Sequence, residues 1–106
     1  MAEMDAGAMA AQAKQAVALL KELANEQRLL ILCTLVEGER SVGALNADIE
    51  LSQSALSQHL ARLREAGLVT ARREGQQVYY SLAAGEVAAI LQVLHTLYCG
   101  EEQGKS

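Results

Sequence analysis

The chain has 106 residues, a net charge of -4 and 51% hydrophobic residues, with no proline, tryptophan or phenylalanine. That length bounds it to one domain with a modest core, so the apolar excess implies helix faces buried against a second copy of the chain. No apolar run approaches the roughly 20 residues of a membrane span, and Glu3 and Asp5 stand where a signal peptide would carry basic residues, so a cytoplasmic protein with no membrane contact is expected.

Residues 1–9 are small and polar and read as a disordered tail, with a folded domain over 10–99 and a flexible tail over 100–106. From about Ala10 to Leu23 the alanine-rich stretch with Val17, Leu20 and Leu23 at helical spacing predicts a first helix. Asn25 caps a second helix to about Val36, apolar on nearly every side and so central and buried, with Gly38 ending it. Ser41 caps a short helix to about Ala47. Residues 48–51 turn the chain, Ser52 caps a longer helix to Ala66, and Gly67 supplies its left-handed end. Short helix, tight turn and longer helix make a helix-turn-helix. After Gly67 the period shortens: Leu68–Arg73 and Gln77–Leu82 predict a β-hairpin with a three-residue loop, Glu74, Gly75 and Gln76. Val87, Ile90, Leu91, Leu94, Leu97 and Tyr98 then mark a closing amphipathic helix. The fold class is therefore mostly α with a small β-hairpin wing: a winged helix-turn-helix of about five helices.

The charge is unevenly spread. From Ser52 to Leu82 four arginines stand against two glutamates, a net charge of +2, while the remainder carries five basic and eleven acidic residues, a net charge of -6. A basic segment on an acidic body is the footprint of a nucleic-acid site. On a wheel of about 100° per residue, Leu56, Leu60 and Leu63 form the inward stripe of the Ser52 helix, with His59 beside it as a structural residue. Ser54, Ser57, Gln58, Ala61 and Glu65 face outward, flanked by Arg62 and Arg64. A small, polar outer face suits the major groove, where glutamine pairs with adenine and serine reaches bases or phosphates. Gln53 opens this helix. At the hairpin tip, Arg72, Arg73 and Gln76 sit where side chains reach phosphates or the minor groove. An ordinary solvated face and a solubilising turn are the plain alternatives. No Ser-His-Asp or Cys-His set, paired acids or phosphate loop is apparent, so neither an enzyme nor a cofactor is expected.

Ser52-Gln53-Ser54-Ala55-Leu56-Ser57-Gln58-His59-Leu60, Ala66-Gly67-Leu68-Val69, Arg72-Arg73-Glu74-Gly75-Gln76 and Val78-Tyr79-Tyr80-Ser81-Leu82 closely resemble the winged helix-turn-helix repressors of the ArsR/SmtB family, over about Ala16 to Cys99. The resemblance implies a homodimer joined through the first and last helices, a near-palindromic operator in double-stranded DNA, and repression relieved by a small inducer. Metal-sensing members carry Cys-x-Cys near the third helix or paired His and Asp ligands elsewhere. Here Ser41–Ala47 holds no cysteine and the last helix offers His95 alone, so a metal site is not expected.

Leu30-Ile31-Leu32-Cys33-Thr34-Leu35 and Leu94-His95-Thr96-Leu97-Tyr98-Cys99 resemble the HlyU, BigR and SqrR branch of that family. There the matching cysteines form a dithiol sensor of reactive sulfur species and oxidants. Carried over, Cys33 and Cys99 become the inducer site, oxidised by persulfide, polysulfide or another oxidant to a bridge that releases the operator. On the α-helical wheel Cys99 lies about 100° off the apolar stripe, as a partly exposed, reactive thiol would. The alternatives are a metal-responsive repressor, or a DNA-binding regulator with inert, buried cysteines.

Overall fold

Helix α1 (Ala6–Leu23) opens the structure, a computed structural model that describes residues 6–100, with side chains through Tyr98. It starts at Ala6 rather than Ala10, because alanines at 6, 8, 10 and 11 carry helix propensity that outweighs Gly7. The remaining tail positions, 1–5 and 101–106, lie outside the described residues. Leu23 is buried, whereas Met9, Val17 and Leu20 are about half exposed.

Asn25, in extended conformation, accepts the Arg28 amide at 2.9 Å and starts α2 (Glu26–Val36). This helix is the centre of the fold: Ile31, Leu32, Cys33 and Leu35 are buried. It is not buried all round, however. Leu30 is 51% exposed, since one chain of this size covers only one side of a helix.

A two-residue strand β1 (Arg40–Ser41), too short to leave a period in the sequence, precedes α3 (Val42–Asp48). The Ser41 hydroxyl accepts the Ala44 amide, and Asn46 donates its amide to the Leu51 carbonyl at 2.9 Å, fixing the turn into α4 (Gln53–Glu65). Ser52 caps α4 through the Ala55 amide. At its other end Gly67 adopts φ +80°, the Leu68 amide donates to Leu63 and the Gly67 amide to Arg64, a Schellman ending that aims the chain into the sheet.

Strands β2 (Val69–Glu74) and β3 (Gln77–Leu82) form the wing, and β1 joins β3 to give the antiparallel order β1-β3-β2. Glu74 pairs with Gln77, so the loop is the two residues Gly75 and Gln76, one fewer than expected. Gly75 at φ +63° supplies the positive-φ turn position that such a hairpin requires.

Helix α5 (Glu86–Leu94) closes the fold and passes directly into a π-helical segment, His95–Gly100. The regular α-helical wheel therefore ends at Leu94, ahead of Cys99. Ile31, Leu32, Leu45, Leu56, Leu60, Leu63 and Leu91 are fully buried, drawing α2, α3, α4 and α5 onto one core at about 1.5–3 kcal/mol per side chain.

Candidate nucleic-acid interface and thiol site

The inward stripe of α4 seats the helix on the core, which leaves its other face to solvent. Gln53, Ser54, Ser57, Gln58, Ala61 and Arg64 are all exposed there, while His59 is half-buried beside the stripe. The Ser52 hydroxyl is spent on the cap, but Ser54, Ser57 and Gln58 remain outward on the first half of the helix, where a recognition helix meets base edges. The free amides of the N-terminus add an attraction for phosphate.

The basic residues divide into two kinds. Arg62 turns toward α1 and donates to both Glu22 carboxylate oxygens, at 2.9 and 3.3 Å. Arg72 donates through Nε and Nη2 to the two oxygens of Glu39, at 2.8 and 2.9 Å, and through Nη1 to Glu74 at 2.9 Å. Its guanidinium also lies 4.7 Å from the Tyr79 ring centroid. The Arg62 fork holds the Glu22 carboxyl below its ordinary range, and the Arg72 fork does the same to Glu39. Arg64 and Arg73, by contrast, are exposed and make no ion pair among the described residues. Gln76 lies exposed in the wing turn.

Arg28 was not singled out by the sequence. It is 7% exposed, and its Nε donates to the Glu22 carbonyl at 2.8 Å and its Nη2 to the Lys21 carbonyl at 3.3 Å. The same Nε lies 3.6 Å from the Glu22 carboxylate. Arg28 thus satisfies the last carbonyls of α1, and Glu22 links α1 to both α2 and α4. The only hint was a cation at the head of the long apolar run that begins at Leu29.

The two cysteines belong to neighbouring elements. Cys33 is 8% exposed on α2, in the wall of a cavity of about 340 Å³ also lined by Glu26, Leu29, Leu30, Leu94 and Tyr98. The π-helical segment bearing Cys99 packs against α2, and His95 Nε2 lies 3.0 Å from a Glu37 oxygen at the end of α2. The Cys99 side chain lies outside the described residues. Among the described residues no three His, Cys, Asp or Glu converge as metal ligands, and no helix is long and apolar enough to cross a membrane.

A helix-turn-helix seated on a buried helix, with a small polar outer face and a basic hairpin beside it, defines a winged helix-turn-helix DNA-binding protein. Residues 25–71 match the model of the bacterial regulatory protein, arsR family. The chain is 53% identical over 102 residues to the transcriptional activator HlyU of Vibrio cholerae, covering 96% of this chain and 94% of that protein. The solved structure of reduced HlyU from that organism superposes with a TM-score of 0.83 at 56% identity, over 86% of this chain and 96% of that one. The transcriptional repressor BigR from Xylella fastidiosa gives 0.79 at 41% identity, over 92% and 99%. The homodimeric winged helix-turn-helix DNA-binding domain of Mb0332 from Mycobacterium bovis gives 0.73 at 34% identity, over 100% and 96%. The chain belongs to the arsR family of bacterial regulatory proteins and is a transcriptional regulator.

Proposed function

We propose that the chain is a cytoplasmic, homodimeric repressor whose α4 reads a near-palindromic operator and whose Cys33 and Cys99 form the inducer site. The observation that carries the DNA reading is the outer face of α4, where Ser54, Ser57 and Gln58 stand exposed along the first half of the helix. Ser54, Ser57 and Gln58 read bases. Gln53, Arg64, Arg73 and Gln76 contact the backbone, and Arg62 and Arg72 lie beside them. The half-exposed Val17 and Leu20 on α1, together with Val93, Leu97 and Tyr98 beyond the core of α5, supply the apolar surface for a second copy. The homodimeric Mb0332 domain accords with this pairing, and the repressor BigR with the sense of regulation.

The thiol reading is supported by the packing of the Cys99-bearing segment against α2 and by the cavity at Cys33. Attack of one thiolate on the terminal sulfur of an organic persulfide releases the parent thiol and leaves a protein persulfide. The second thiolate then displaces hydrogen sulfide, so the dithiol loses two electrons and the persulfide sulfur gains them. A direct bridge requires Cα atoms about 4.4–6.8 Å apart. A bridge with an inserted sulfur spans more and uses a second persulfide molecule, which persulfidates the other thiol before the two protein persulfides join with loss of hydrogen sulfide. Mass spectrometry of the reduced protein after treatment with an organic persulfide tests this. A Cys33–Cys99 peptide carrying the mass of two or more sulfurs supports it, and two separately modified thiols with no linked peptide would refute it.

A further inference from the structure

On the reading that the wing lies on DNA, we propose that Arg72 is a positioning residue clasped by Glu39, and that the wing meets phosphate through Arg73 instead. The register decides which side of the sheet each side chain takes. Arg72 stands opposite Tyr79 and Arg73 opposite Val78, so the two arginines leave opposite faces. The Arg73 face carries Val69, Tyr80 and Leu82, which are buried or packed against the core that also seats α4. The Arg72 face carries Thr70, Glu74, Tyr79 and Ser81, and the pairing of Arg40 with Tyr80 puts Glu39 alongside Ser81 on that same outer face. There the Glu39 carboxylate accepts a two-pronged fork from Arg72 and a hydroxyl bond from Ser81 at 3.3 Å. Glu74 takes the remaining guanidinium nitrogen, and Tyr79 lies under the plane.

Each nitrogen of Arg72 is therefore engaged within the protein. Glu39 belongs to the connection between α2 and β1, so the clasp crosses all three strands and ties the hairpin to the body of the fold. It fixes the angle at which the wing approaches the duplex. Arg73 sits one residue nearer the turn, on the side of α4, with no ion pair among the described residues.

Salt titrations of DNA binding separate the two roles, because each lost phosphate contact lowers the slope of log affinity against log salt by about 1. Binding of a fluorescent family operator and of a scrambled duplex is measured for Arg73→Ala, Arg72→Ala, Arg72→Lys and Glu39→Gln. Arg73→Ala is expected to reduce the slope by about 1 per wing. The three clasp variants are expected to weaken binding about two- to fivefold, the ceiling for an exposed pair, with the slope unchanged. Arg72→Lys is decisive, since lysine keeps the charge a phosphate would need but cannot form the fork. The proposal is overturned if Arg72→Lys binds like the parent protein, if Arg72→Ala flattens the slope as Arg73→Ala does, or if Glu39→Gln binds as tightly as the parent or more tightly. An Arg73→Ala variant with unchanged affinity and slope would instead remove the wing from DNA, and the reading beneath the proposal with it.

Discussion

Arg28 offers the sharpest test of how the helical frame is held. Replacing it with methionine keeps an apolar stem of similar length and deletes the guanidinium. Two bonds are lost, Nε to the Glu22 carbonyl at 2.8 Å and the longer Nη2 bond to Lys21 at 3.3 Å, with the 3.6 Å ion pair to the Glu22 carboxylate. A hydrogen bond from a charged donor contributes about 1.5–3 kcal/mol. The side chain is 9% exposed, so water does not replace these bonds freely. Glu22 keeps Arg62 as a partner, which limits the loss from the carboxylate. A net destabilisation of about 2–4 kcal/mol follows. Urea unfolding followed by circular dichroism reads it directly, with the protein reduced and at matched concentration, since association contributes to apparent stability. An Arg28→Met variant within about 0.5 kcal/mol of the parent, as for an ordinary surface change, would refute the assignment of Arg28 as the link between α1 and α2.

Gln58→Ala should cost about 1–3 kcal/mol on the preferred operator and relax preference at particular base pairs, read by binding to operator variants. Leu20→Glu with Leu97→Glu should convert a dimer to monomers in sedimentation velocity while the circular dichroism of the fold persists. The Glu22 and Glu39 carboxyls lie below their ordinary value of 4.5 in the folded chain, through Arg62 and Arg72 respectively. Both contribute stability that is present above that value and lost as pH falls through the lower native one. Glu22→Gln and Glu39→Gln should therefore each flatten the acid limb of stability below about pH 4.5, measured by denaturation at a series of pH values.

Much of the fold was legible because its signals are local. Asn25, Ser41 and Ser52 each cap the following helix through the amide of Arg28, Ala44 or Ala55, close by in the chain, and Gly67 ends α4 by the backbone freedom it alone has there. The outward placement of Ser54, Ser57 and Gln58 followed from the period of Leu56, Leu60 and Leu63. What escaped depends on distant partners. The Arg62 bond to Glu22 spans 40 residues and the Arg72 bond to Glu39 spans 33, so both arginines read as open DNA contacts in the sequence. Strand β1 exists only because β3 is there to pair with it. The passage from α to π geometry at His95 left no mark in the apolar spacing of Val87, Leu91 and Leu94.

The central claim, that the two cysteines together govern release of the operator, is tested most directly by fluorescence anisotropy of the reduced protein, Cys33→Ser and Cys99→Ser on operator DNA, before and after persulfide. All three should bind alike when reduced. Persulfide should weaken only the parent protein, by about 5- to 150-fold for a typical coupling between two sites. Release by either single variant to the same extent as the parent would contradict the account.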